Sequence, residues 1–325
     1  MEATTPDFIP ALVARLREGD SRALSRAISL VENDTHAAAA LLSACFPYTG
    51  SALRIGITGA PGAGKSTLAD RFAQHFRHAN RTVGFIAVDP TSPFTGGAIL
   101  GDRIRLREHA SDPGFYARSM ATRGSLGGLA LNTADVALVI EASGKEVLLI
   151  ETVGVGQDEI EIVRLADITI VVLVPGMGDD VQSLKAGVME IADIYVINKS
   201  DRDGADRVEQ EIRSLQSLAV AHGDWIPPVV RTTATTGDGI DRLAHSIAQM
   251  EEWLKKGSHL TERRTQHWQR RLDAMLRTEL LRRARSNGLT AHNLSEHAAQ
   301  VAAGREDPWR LIPQLAQKAF VPSSE

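Results

Sequence analysis

The chain has 325 residues, a formal net charge of −4, and 43% hydrophobic against 23% charged residues, the profile of an ordinary globular protein. That balance gives no global electrostatic reason to expect nucleic acid or an anionic membrane as the main partner. Cys45 is the single cysteine, which excludes an intrachain disulfide and a thiolate cluster for zinc or iron–sulfur within one chain.

Glu2 and Asp7 stand where a secretory or mitochondrial leader would be basic, and no apolar run approaches the roughly 18 residues of a membrane span, so a cytoplasmic protein is expected. Residues 6–46 repeat apolar side chains at helical spacing, as in Ile9, Leu12, Val13 and Leu16, and then Leu24, Ala27, Ile28 and Val31. This predicts an N-terminal helical extension over 1–50 that packs against the following domain. Residues 51–254 alternate short apolar runs with helical segments; the runs are Ile55-Gly56-Ile57, 83–88, 147–150, 168–174, 194–197 and Val229-Val230. Near-continuous apolar strands separated by helices predict an α/β domain, a mostly parallel sheet covered by helices on both faces. Ligands of such sheets bind beyond the carboxyl ends of the strands.

The first of these strands runs into Gly59-Ala60-Pro61-Gly62-Ala63-Gly64-Lys65-Ser66-Thr67, which fits the phosphate-loop pattern G-x-x-x-x-G-K-[ST] and opens a helix-forming stretch. Such a loop turns successive backbone N–H groups inward, so that with the positive end of the following helix they hold the α- and β-phosphates of a nucleotide. Lys65 is expected to reach the β- and γ-phosphates, and the Ser66 hydroxyl to bind Mg²⁺.

A phosphate loop alone separates neither ATP from GTP nor a kinase from a switch. Asn198-Lys199-Ser200-Asp201 follows the strand at 194–197, and N-K-x-D at a strand end is the arrangement that reads guanine. The Asp201 carboxylate accepts hydrogen bonds from the guanine ring N–H and exocyclic amine; adenine leaves that carboxylate unpaired, which is costly. Thr233-Ala234, after the last strand, stands where a short loop contacts the base through backbone groups. Two acids end strands near the loop: Asp89 after 83–88, and Glu151 after 147–150 in Glu151-Thr152-Val153-Gly154. The second matches the D-x-x-G position with Glu for Asp, where the acid holds Mg²⁺ through water and the Gly154 N–H senses the γ-phosphate. Residues 91–128, rich in glycine and carrying Pro93 and Pro113, are predicted to be a loop-rich switch that orders around Mg²⁺ and the triphosphate.

After Trp253 the chain turns basic. Between residues 255 and 285 ten Lys or Arg face three acids, a local balance of 10 − 3 = +7, and Trp268, Leu272, Met275, Leu276 and Leu280 share one helical stripe. No aromatic or glycine-rich RNA motif accompanies the arginines. The segment 255–325 is therefore expected to be a dimerisation or partner-docking arm.

Together these motifs resemble the MeaB/ArgK/MMAA family of P-loop GTPases, of the SIMIBI class. The likeness is carried by residues 59–67, by Val88-Asp89-Pro90-Thr91-Ser92-Pro93-Phe94-Thr95-Gly96-Gly97 with Leu100-Gly101-Asp102-Arg103, by Glu151-Thr152-Val153-Gly154-Val155-Gly156-Gln157, and by Asn198-Lys199-Ser200-Asp201. It implies hydrolysis of GTP to GDP with Mg²⁺, by a homodimer that acts as chaperone of an adenosylcobalamin-dependent acyl-CoA mutase such as methylmalonyl-CoA mutase. It also implies that Asp89, Asp102 and Glu151 join Ser66 around the metal. The run from Gly176 to Gln182 and on to Lys185 matches the family's mobile loop that couples nucleotide to mutase, with Lys185 assisting Lys65 and Glu151 in hydrolysis. Two rivals remain at this point. An ATPase or kinase serving lysine, arginine or ornithine transport would need an ATP preference that N-K-S-D opposes. A nickel or cobalt metallochaperone GTPase would ordinarily display Cys/His ligand clusters.

Overall fold

The computed structural model describes residues 7–33, 36–89, 111–121, 128–152, 165–176, 191–218, 225–317 and 320. The chain divides into two compact units, Met1–Thr261 and Glu262–Glu325.

The first unit opens with three helices, α1 (Phe8–Arg17), α2 (Ser21–Glu32) and α3 (His36–Cys45). Asp20 starts α2 because its carboxylate accepts from the backbone N–H groups of Arg22 and Ala23, donors that a first helical turn leaves without intrahelical partners. The sheet comprises β1 (Leu53–Gly59), β2 (Val83–Asp89), β3 (Phe115–Ala121), β4 (Val147–Glu151), β5 (Ile168–Leu173), β6 (Ile194–Ile197) and β7 (Val229–Arg231). Its order is β3-β2-β4-β1-β5-β6-β7, and every neighbouring pair is parallel. The crossovers carry α4 (Lys65–His78), α5 (Gly128–Ala142) and α6 (Ala205–Leu218), and α7 (Ile240–Lys255) follows the last strand.

Alternation along the strands sorts the core into layers. Val147 and Leu149 of β4 join Phe72 and Phe76 of α4 and Leu243, Ile247 and Met250 of α7 on one face. Leu148 and Ile150, the intervening residues, join α5 and the N-terminal helices on the other, with Leu12, Leu16, Leu24 and Ile28 as the spacing predicts. Val171 and Leu173 of β5 pack on Val208 and Ile212 of α6.

One expectation needs correction. Residues 91–128 are not loop throughout, because β3 lies inside them and pairs with β2 over seven residues, from Val83↔Phe115 to Asp89↔Ala121. As an edge strand it is only partly covered, so it need not read as an aliphatic run: Arg118 within it pairs with Glu32 of α2. Residues 90–110 and 122–127 lie outside the described residues.

In the second unit, the carboxyl end of α8 (His259–Ser286) packs with α9 (Ala291–Ala302) and α10 (Pro308–Gln317) around Leu280, Ala284, Leu289, Val301, Leu311 and Leu315. Thr290 and Asn293 form a reciprocal capping box at the start of α9. The apolar stripe read on α8 is mostly uncovered, with Leu272 at 58%, Met275 at 47% and Leu276 at 59% exposure. No helix among the described residues is long and apolar enough to cross a membrane.

Candidate functional site

Strand order reverses at β1: the chain builds β2, β3 and β4 to one side of it and β5, β6 and β7 to the other. The loop leaving the carboxyl end of β1 therefore opens at the switch point of the sheet, where α/β proteins bind ligands. Gly59 ends β1 opposite Val172 of β5 with φ +141°, and a Cβ there would lie 2.1 Å from the Val172 carbonyl oxygen. Gly64, at φ +90°, precedes α4, and a Cβ there would lie 2.4 Å from Asn198 Nδ2. Only glycine permits both the left-handed turn and this close approach.

Lys65 begins α4 at 5% exposure, and its ammonium donates to the carbonyls of Gly59 at 2.7 Å and Ala60 at 3.0 Å. The Ala63 N–H donates to Ala60 O at 3.1 Å and closes the turn of the loop. The amino end of α4 thus starts directly from the loop, a place where helix N–H groups and the helix dipole favour an anion.

The register Ile57↔Glu151 sets the last residue of β4 beside the end of β1. Ser66 Oγ donates to Glu151 Oε1 at 2.6 Å, and Thr152 Oγ1 donates to Thr58 Oγ1 at 3.0 Å, tying the two strand ends together under the loop. The backbone of Asp89 closes β2, the strand next to β4. Its side chain lies outside the described residues, as do Asp102, Gly154 and Lys185. Among the described residues no three His, Cys, Asp or Glu gather at one point. The hydroxyl and carboxylate present are hard oxygen donors, which suit Mg²⁺, a cation that takes one or two carboxylates and completes its shell with water and substrate phosphates.

A second cluster braces the loop from β6. Asn198, at 2% exposure, donates through Nδ2 to Ala63 O at 2.8 Å and accepts at Oδ1 from Thr232 Oγ1 and the Ala234 N–H, at 3.2 and 3.1 Å. Lys199 adopts φ +54°, a conformation that costs a side-chain-bearing residue about 1–3 kcal/mol. That turn sends its ammonium to Gly62 O at 2.7 Å. Asp201 is exposed and accepts a long 3.4 Å contact from Thr233 Oγ1. The residues singled out from sequence in the described regions thus form one connected network around the loop. Sequence reasoning gave no role to Thr58, Thr152 and Thr232, of which Thr152 lies within the Glu151–Gly154 run and the other two beside a motif. It also missed Arg71 of α4, which bonds the carbonyls of Ala234 and Thr235 and carries no local signal because those partners are 163 and 164 residues away.

A phosphate loop at the switch point of an all-parallel sheet, clasped by an N-K-x-D strand end, defines a P-loop GTPase. The family model "Methylmalonyl Co-A mutase-associated GTPase MeaB" matches residues 24–289, and the chain belongs to that family. A Pyrococcus abyssi relative, named as a candidate GTPase, is 52% identical over 260 residues, 79% of this chain and 80% of its own. GTPase ArgK of Escherichia coli is 39% identical over 262 residues, 78% of this chain and 79% of its own. The mouse mitochondrial methylmalonic aciduria type A homolog is 34% identical over 280 residues, 80% of this chain and 67% of its own. The crystal structure of an LAO/AO transport system kinase matches with a TM-score of 0.74 at 28% identity, covering 98% of this chain and 100% of that one. The chain is a GTP hydrolase, with GTP as substrate and GDP as product.

Proposed function

We propose that this GTPase serves as a chaperone of an adenosylcobalamin-dependent acyl-CoA mutase, using hydrolysis to gate cofactor loading or to protect and reactivate its client. The observation that carries the nucleotide half is the Asn198–Ala63 and Lys199–Gly62 clasp, which locks the guanine-reading strand end onto the phosphate loop. In this reading Asp201 accepts from the guanine ring, and the loop at Thr233 and Ala234 offers backbone groups to the base. The backbone N–H groups of residues 59–67 and the Lys65 ammonium hold the phosphates. Lys65 exchanges the carbonyls of Gly59 and Ala60 for the β- and γ-phosphoryl oxygens. Ser66 and Glu151, with Asp89 and Asp102, would hold Mg²⁺ directly or through water. When bound there, the ion supplies neutralisation of the charge that spreads over the phosphoryl oxygens.

Water attacks the γ-phosphorus as the bond to the β–γ bridging oxygen breaks; GDP leaves and the water protons pass to phosphate. Lys65 and Lys185 stabilise the charge on the transferring group, and the Gly154 N–H reports its loss. Intrinsic turnover is slow in this scheme, because no arginine finger or water-orienting glutamine is assigned, and the client raises it.

The client assignment draws its support from the family's mutase-associated description. The homodimer, formed through residues 255–325, draws support from the uncovered Leu272, Met275 and Leu276 of α8. The test is to mix the purified protein with methylmalonyl-, isobutyryl- or 2-hydroxyisobutyryl-CoA mutase, follow co-elution, and measure GTP turnover. The proposal expects a complex and faster hydrolysis with one of them. Absence of any complex removes the chaperone role and leaves the GTPase.

A further inference from the structure

Arg71 lies on α4 two turns beyond the phosphate loop, with a half-buried side chain pointed at the loop that follows β7. Its Nε donates to the Ala234 carbonyl at 3.0 Å and its Nη2 to the Thr235 carbonyl at 2.8 Å. Both bonds have good length and a charged donor, the stronger class of hydrogen bond. The fork is oriented in turn by Gln74, which accepts from Nη1 at 3.3 Å while donating to Asp70 at 3.1 Å.

A planar trans peptide points its N–H opposite to its C=O. Pulling the Ala234 carbonyl towards α4 therefore turns the Thr235 N–H away from it. Around this peptide the remaining donors are engaged: Thr233 N–H on Asp238 O, Ala234 N–H on Asn198 Oδ1, and the N–H groups of Thr236 and Gly237 on Thr233 O. Arg71 thus fixes the Ala234 and Thr235 carbonyls, and with them the direction of the Thr235 N–H, from the same helix that begins at the phosphate loop.

We infer that Arg71 is a positioning residue for guanine selectivity, acting through the Ala234–Thr235 peptides on the carbonyl edge of the base. The inference rests on the guanine assignment made above. Guanine presents an acceptor, O6, where adenine presents an amine, so a fixed N–H donor at that edge favours the first and opposes the second. Loss of the guanidinium frees both peptides to rotate and leaves their carbonyls without a charged donor. Most of the loss then falls on KM rather than kcat, because Arg71 touches neither phosphates nor the attacked phosphorus.

The test uses full-length protein and three nucleotides: GTP, ATP and 6-thio-GTP, in which sulfur replaces O6 while the ring N–H and exocyclic amine remain. For Arg71→Ala, KM for GTP is expected to rise about tenfold, the worth of a charged hydrogen bond. KM for 6-thio-GTP should rise far less, so that the ratio between the two falls towards one. Arg71→Lys, which keeps the charge and reaches one carbonyl, should recover part of that ratio, and it serves as the readout if the alanine variant fails to fold. An unchanged GTP to 6-thio-GTP ratio in the folded variants, even with a lower melting temperature, overturns the inference. Wild-type protein that fails to prefer GTP over ATP would instead remove the guanine assignment beneath it.

Discussion

Lys65 and Asp201 stand at opposite ends of the network, one under the phosphate loop and the other on the exposed rim, and each should fail in its own way. Lys65→Ala removes a buried cation that the proposal assigns to the triphosphate, so kcat should fall about 10²–10³-fold, measured by phosphate release at saturating GTP. Asp201→Asn replaces the acceptor proposed to pair with the guanine ring N–H by an amide that can donate. GTP preference should fall about a hundredfold, while xanthosine triphosphate, with an acceptor at C2, becomes the better substrate in competition assays. These residues were legible because their chemistry is compressed into short motifs at strand ends. Arg71 was not, since it lies in no motif and acts through partners far away in sequence that only the packed fold brings near.

At the scale of elements, α4 carries the site on its first turn and the core on its inner face. Phe72 is fully buried within the layer that also holds β1, β4 and α7. Phe72→Ala should therefore destabilise the fold by about 3–5 kcal/mol, read as a lower urea midpoint with little change in slope. Six of the seven strands were readable as apolar runs, the five interior ones because they are buried within the sheet and the edge strand β7 through Val229-Val230; β3, the other edge, was not, because it carries Arg118 and Ser119 beside Met120. The helical period found α1, α2 and the stripe on α8. Period alone did not tell whether that stripe was buried within the chain, and Leu272, Met275 and Leu276 prove exposed in it. Ending the chain at residue 257 should accordingly give a monomer by light scattering, and a dimer that survives would refute the arm.

Over the whole molecule, buried groups that titrate in alkali set the pH response. Burial pushes the Cys45 thiol from its ordinary 9.0 up to about 11, and burial also raises the phenols of Tyr116 and Tyr195. Each folded-state value lies above the unfolded one, so the unfolded chain releases its proton first. The Cys45 contribution to stability is intact below pH 9 and is lost as pH rises through the window from about 9 to 11, and the tyrosine contributions begin to fall only above their ordinary 10.0. Melting temperature should be level between pH 7 and 8.5 and decline towards pH 11, and Cys45 should resist thiol reagents at pH 8 until the protein unfolds. The central claim is that this network selects a guanine nucleotide, and calorimetric titration of GTP and ATP at millimolar Mg²⁺ reaches it most directly. One GTP per chain with negligible heat from ATP is the predicted result; ATP binding as tightly as GTP, or no heat from GTP, would contradict it.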